Sequence, residues 1–178
     1  MKKSLIIIIS AIVLSTSLSV HAADRNRNAN FFLTLGRTFL EFDGDKDETS
    51  ALKIGGGYRF SSYAGFEIFY INYGQISERI DVGNSATFNS HAFILNGIAM
   101  FPVHPLFDLY AKVGISEWKW EANFPSIGSA SKDGTDPVYT VGFGYNIDHD
   151  STVRFEYERS EYDEIDYSVI SFGFQHNF

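Results

Sequence analysis

The chain of 178 residues contains no cysteine. A disulfide framework and thiolate metal sites are therefore excluded. Basic residues are scarce, 14 Lys and Arg against 22 Asp and Glu. Phosphate-rich partners need a basic surface, so nucleic acid is not expected to bind. Proline is limited to four residues, and no low-complexity linker divides the sequence. Beyond residue 22 no apolar run approaches the ~18 residues of a helical membrane span. That leaves β-barrels untouched, because their strands carry a weaker, alternating signal.

The one long apolar run stands at the start. Met1-Lys2-Lys3 is a positive n-region, and residues 5–14 (LIIIISAIVL) form an apolar h-region. The run is shorter than the ~20 residues of a membrane helix. Val20-His21-Ala22 supplies a small-x-small cleavage pattern. The expectation is a signal peptide over 1–22, cleaved near Ala22, and one exported domain over 23–178. Without Lys2 and Lys3, 12 basic residues face 22 acidic ones, a net charge of −10. An exported chain without disulfides must draw stability from elsewhere, and a barrel closed in lipid is one source.

Phe, Tyr and Gly are abundant, and period-2 alternation dominates the mature sequence. Strands are predicted over 31–42, 51–60, 64–73, 90–101, 107–120, 138–146, 152–159 and 167–178. Most have the ~9–11 residues that a tilted strand needs to cross a bilayer. Their connections alternate between short (61–63, 102–106, 147–151) and longer or more charged (43–50, 74–89, 121–137, 160–166). That asymmetry places the short turns and both chain ends in the periplasm and the four long loops outside. The fold class expected is all-β, an eight-stranded antiparallel up-and-down transmembrane β-barrel.

The alternation also assigns faces. Ile170, Phe172, Phe174 and Phe178 oppose Ser171, Gly173, Gln175 and Asn177 in the last strand. Tyr139, Val141, Phe143 and Tyr145 oppose Thr140, Gly142 and Gly144 in the sixth. A soluble barrel or sandwich shows one apolar face per strand as well. Two features turn that face outward. The polar faces carry full charges at mid-strand: Lys53, Arg59, Lys112 and Arg154 against Glu67, Asp108, Glu156 and Glu158. Inside an eight-stranded lumen, just wide enough to fill with side chains, such charges pair and offset their desolvation. Aromatic residues also gather at strand ends. Tyr58, Phe60, Tyr63, Phe66, Phe101, Phe107, Tyr145 and Phe178 lie near the short turns; Trp118, Trp120, Tyr139, Tyr157 and Tyr162 lie near the long loops. Two such belts match two membrane interfaces.

Two strands leave alternatives open. Residues 90–101 are apolar on both faces apart from Asn96. Arg37 falls on the lipid face with Leu33 and Leu35, which requires snorkelling to the headgroups or a bulge that resets the register.

The C-terminal octapeptide Ser171-Phe172-Gly173-Phe174-Gln175-His176-Asn177-Phe178 resembles the targeting signal of Gram-negative outer-membrane barrels. It has alternating apolar residues, a glycine and a terminal aromatic, with Phe172, Gly173, Phe174 and Phe178 carrying the signal. Leu109-Tyr110-Ala111-Lys112-Val113-Gly114 is similar to the fifth strand of the OmpA-type barrel family. Gly57-Tyr58-Arg59-Phe60 followed by Gly65-Phe66-Glu67 is similar to its second hairpin. The resemblance implies insertion by the outer-membrane assembly machinery. It also implies an interior salt-bridge network, onto which Glu67, Lys112, Arg154 and Glu156 map. A barrel-only member is expected, of OmpX- or Ail-like size, without the peptidoglycan-binding domain of larger members.

Four features invite chemistry. Asp43-Gly44-Asp45-Lys46-Asp47-Glu48 alternates carboxylates, but the sixth and twelfth positions hold Glu48 and Ile54 where a calcium loop has Gly and Glu. It reads as a solvated acidic tip. His149-Asp150-Ser151 has the His-x-Ser spacing of lipid A deacylase barrels, yet it sits at a periplasmic turn where Asp-Ser is ordinary turn chemistry. His91, His104 and His176 form no ligand-spaced cluster. Trp118 and Trp120 share a face with Lys112 and are expected to plug the outer mouth. No catalytic residue, metal or cofactor is expected. The leading reading is an outer-membrane protein in contact with lipid and lipopolysaccharide, whose loops meet host or surface ligands. A narrow pore and a lipid A acyl hydrolase are the alternatives.

Overall fold

The computed structural model describes residues 28–42, 45–81, 84–124, 128–162 and 165–178. The expected signal peptide and its cleavage site lie outside them. Eight strands follow in chain order: β1 (Ala29–Phe42), β2 (Asp45–Arg59), β3 (Ala64–Asp81), β4 (Asn84–His104), β5 (Phe107–Phe124), β6 (Gly128–Asn146), β7 (Ser151–Tyr162) and β8 (Ile165–Asn177). Each pairs antiparallel with its sequence neighbours, and β1 pairs with β8 to close the barrel. Closure leaves no backbone edge in the wall, the condition for crossing a bilayer with strands.

Parity along each strand sorts the residues. Odd positions of β3 and even positions of β4, β5, β6 and β7 face the lumen; the alternate positions face out. Phe143, Phe155 and Phe172 are 40–60% exposed, whereas Lys112, Arg154 and Glu156 are at most 4% exposed. Apolar groups thus cover the outside and ions fill the inside, the reverse of a soluble barrel.

Local sequence explains the turns. The Ser61 hydroxyl accepts from the amides of Tyr63 and Ala64 at 3.1 and 3.0 Å, closing the β2–β3 turn. The Asp148 carboxylate does the same for Asp150 and Ser151, both at 2.8 Å. This accounts for the His149-Asp150-Ser151 segment as turn chemistry. Ser151 opens β7, at the end of the barrel that also holds Phe178.

The four long connections are mostly strand rather than loop. β4 runs 21 residues and β6 19, about twice what a bilayer crossing needs. Water wets both faces beyond the membrane, so alternation fades there while hairpin pairing continues. In β3 the pairing with β4 slips between Asn72 and Gln75. Gly74 sits at that bulge with φ +88°, a conformation open to glycine at no steric cost. Asn72 Oδ1 accepts from its amide at 2.8 Å.

The open questions are settled by register. β1 pairs without a slip from Ala29 to Phe42, so no bulge turns Arg37 inward. It faces out, and its guanidinium donates to Glu48 Oε2 at 2.6 Å. In β4, Phe93, Leu95 and Phe101 face out, while Ile94, Asn96, Ile98 and Met100 face in. The outer aromatic belt needs correction. Tyr139 and Tyr157 are exposed, but Trp118 and Tyr162 are buried in the lumen and Trp120 packs against them. Their inward parity, shared with Lys112 and Glu158, outweighs their position near the strand ends.

Candidate functional site: a filled lumen beneath a protruding sheet

The middle of the lumen holds six ions from four strands. β2 gives Lys53, β3 gives Glu67, β5 gives Lys112, and β7 gives Arg154, Glu156 and Glu158. Lys112 Nζ donates to Glu67 Oε2 and Glu156 Oε1, both at 2.6 Å. Lys53 Nζ donates to Glu158 Oε2 at 2.7 Å and Glu156 Oε2 at 3.4 Å. Arg154 pairs with both oxygens of Glu67 and with Glu156. Three cations match three carboxylates, so the cluster is neutral without outside ions. Neutrality matters because an uncompensated buried charge costs several kcal/mol, roughly.

Neutral side chains complete the set. The Tyr110 hydroxyl donates to Glu156 Oε1 at 3.0 Å and accepts from Arg154 Nε at 3.3 Å. Arg154 Nη1 donates to Gln175 Oε1 at 2.8 Å. The Arg154 guanidinium also lies 4.5 Å from the Phe32 ring centroid, and Lys53 Nζ lies 5.3 Å from that of Phe69. Cation–π contact of this kind strengthens when water is excluded. Gly142 makes room for Tyr110: a Cβ there would stand 2.6 Å from its ring.

Arg59 and Asp108 do not join the linked ions. They sit nearer the end of the barrel that holds the short turns, where β2 ends and β5 begins, and with Arg154 line a void of about 10 Å³. Asp108 instead accepts from Asn146 Nδ2 at 2.8 Å. The sequence sets them on the inward face but carries no measure of height along the barrel.

Above the ions the lumen is closed by rings. Trp118 stacks on Tyr162 at 5.4 Å, and Tyr162 and Tyr73 each approach Tyr167 within 5.0 Å. The Tyr73 and Tyr162 hydroxyls are 2.6 Å apart, and Ser116 Oγ is 2.7 Å from the latter. Trp118 Nε1 donates to Asp136 Oδ2 at 2.5 Å. The sequence does not single out Tyr110, Gln175, Phe32, Phe69 and Tyr73 as interior partners. Parity with Lys112 nonetheless places Tyr110, and parity with Glu67 places Phe69 and Tyr73, on a lumen face; Gln175 lies on the polar face of β8, and Phe32 alternates with the outward Phe31 and Leu35.

No group of three or more potential metal ligands occurs among the described residues. Asp43 of the acidic motif lies outside them. Asp47 and Glu48 belong to β2 and pair with Leu40 and Phe39. His91, His104 and His176 stay apart; His104 Nδ1 accepts from the Leu106 amide at 3.2 Å.

Ion pairs also mark the outer wall. Besides Arg37 with Glu48, Arg159 meets Asp166 at 3.2 Å and Lys119 meets Glu121 at 2.6 Å. The hydrogen bond between Lys119 and Glu121 holds the ammonium pKa above, and the carboxyl pKa below, their ordinary values.

Comparison with known proteins places this geometry. Outer membrane protein A of Escherichia coli O157:H7 is 27% identical over 103 residues, 58% of this chain. The matched part spans 30% of that protein's length. Ail, the attachment invasion locus protein of Yersinia pestis, solved with the heparin analogue sucrose octasulfate, superposes with TM-score 0.65 at 17% identity. That match covers 85% of this chain and 99% of Ail. Neisserial surface protein A superposes with TM-score 0.68 at 11% identity, covering 84% of this chain and 97% of its own. The family model for the outer membrane protein β-barrel domain matches residues 10–178. The chain belongs to that family, the small OmpA-like barrels of the Gram-negative outer membrane.

Proposed function

We propose that this barrel is a surface-interaction protein in which the membrane cylinder is an anchor and the outer hairpins are the working part. The carrying observation is the length of the central strands. β3 to β6 continue as paired sheet well past the membrane band, whereas an anchor alone needs ~9–11 residues per strand. A rigid scaffold that presents binding segments at one end is a recurrent arrangement. Likeness in fold to an attachment protein supports the same reading. The filled lumen argues against a pore, since ions and rings occupy its middle and upper levels. The His149-Asp150-Ser151 motif gives a hydrolase no support either, since it is a turn closed on the Asp148 carboxylate by the Asp150 and Ser151 amides.

Export through a signal peptide over 1–22, delivery by the assembly machinery through Phe172, Gly173, Phe174 and Phe178, and contact with lipopolysaccharide complete the proposal. The test is a trimmed barrel. Residues 76–86 and 120–131 are replaced by short turns, and bacteria displaying each form are compared for adherence to host cells and matrix. The trimmed form should remain heat-modifiable in electrophoresis and lose adherence. Full adherence by a correctly inserted trimmed barrel contradicts the proposal.

A further inference from the structure

In its lower half β6 is paired on both sides. Toward β5 the pairing runs the whole way, from Phe107↔Tyr145 to Phe124↔Gly128. Toward β7 it runs only from Asn146↔Thr152 to Val138↔Ser160 among the described residues. β7 keeps two strand residues above Ser160, Glu161 and Tyr162, whereas β6 keeps all of 128–137. Pro137 stands at the divergence. It has no amide hydrogen to offer a neighbouring strand, so the ladder stops there for a covalent reason. Residues 128–133, 135 and 137 are exposed. Among the described residues, the outer half of β6 is therefore a sheet edge that β7 does not cover, and the N–H and C=O groups of Ser129, Ser131, Asp133 and Thr135 that face that side form no ladder with β7. An extended segment can add to such an edge, taking affinity from the backbone.

Charge selects the occupant. Segments 43–50, 74–89, 121–137 and 160–166 hold 13 acidic residues and three basic ones, a net −10. The rest of the mature chain has nine of each sign. The net charge of the mature sequence thus falls within these four segments. Asp133 is exposed on β6, and Glu117 is exposed on the same outward face of β5. A second copy would bring the same field and be repelled, and so would a sulfated polyanion. A cationic chain is drawn in and oriented.

We propose that residues 128–137 of β6 form a docking edge for a basic polypeptide segment, which adds to the sheet as a further strand. The proposal rests on the surface-interaction reading and narrows it to one edge and one partner chemistry.

The test uses the full barrel in phospholipid nanodiscs and a twelve-residue peptide of alternating Lys and Thr. Two comparison peptides are the same sequence N-methylated at alternate amides and an alternating Glu and Thr peptide. The Lys–Thr peptide should bind. N-methylation, which keeps the charge and removes ladder donors, should weaken it about tenfold or more. Asp133→Lys with Thr135→Lys, two exposed outward positions, should weaken it about tenfold. Because the chain has no cysteine, a nitroxide at Ser131→Cys reports on the edge alone. It should lose mobility when peptide binds, and one at Tyr63→Cys at the far end should not. Equal binding of the methylated peptide reduces the contact to charge and overturns strand addition. Equal binding of the Glu–Thr peptide, an unmoved label at position 131, or no binding up to millimolar peptide overturns the site. A barrel that fails here yet loses adherence on trimming keeps its surface role through another element, so the two failures are separable.

Discussion

Arg154 and Glu67 meet fork to fork across the lumen, with Nη1 to Oε1 and Nη2 to Oε2 both at 3.0 Å. One comes from β7 and the other from β3, opposite sides of the cylinder. Their pairing ties together strands that share no ladder. The planar guanidinium matches the carboxylate in two bonds at once, which fixes orientation as well as charge.

Breaking that fork should therefore cost more than removing it. Glu67→Ala leaves Arg154 and Lys112 facing fewer carboxylates in a buried site and should lower stability by about 3–5 kcal/mol. Glu67→Leu combined with Arg154→Met removes both charges and should cost less than either single change. Urea unfolding of the lipid-embedded barrel measures both; a single variant as stable as the parent contradicts the network's role.

Tyr110 depends on the bare backbone of Gly142. Gly142→Val should push the ring off its seat, break the hydroxyl contacts to Glu156 and Arg154, and cost about 1–3 kcal/mol. Tyr110→Phe keeps the ring and removes the hydroxyl, for about 1.5–3 kcal/mol. If Gly142→Val proved neutral while Tyr110→Phe did not, the seat would not be needed.

The exposed pairs behave differently. Arg37 and Glu48 are more than half exposed, so Arg37→Ala should change stability by no more than about 1 kcal/mol. A loss of several kcal/mol in the same urea assay would show that the pair is not exposed in the membrane.

Phe178 separates assembly from stability. Phe178→Ala should reduce insertion in living cells while leaving the refolded barrel nearly as stable, because the ring is more than half exposed at the end of the wall. Outer-membrane yield and urea midpoint are the two readouts, and unchanged yield removes this residue from the assembly signal.

Where the sequence was legible, lipid and lumen imposed opposite demands on alternate residues. β5 to β8 carry Leu109, Val141, Phe155 and Phe172 against Lys112, Thr140, Arg154 and Ser171, and the faces follow directly. β4 was illegible because its lumen face is apolar as well, with Ile94, Ile98 and Met100 packed inside. The protruding halves of β3 to β6 were read as loops because water on both sides removes the alternation. Trp118, Trp120 and Tyr162 have the composition of an interface belt, and only their parity with Lys112 and Glu158 reveals a plug. Arg59 and Asp108 share the lumen face but not the level of the linked ions, a distinction that needs three dimensions.

The most direct measurement places nitroxides singly at Val141, Phe143, Phe155 and Phe172, and at Thr140 and Ser171, in the membrane-embedded barrel. Collision rates with oxygen and with a water-soluble nickel complex are then compared. The first four should meet oxygen dissolved in lipid and stay shielded from nickel, while the last two should be shielded from both. Nickel reaching the four apolar positions would put that wall in water and contradict the membrane barrel.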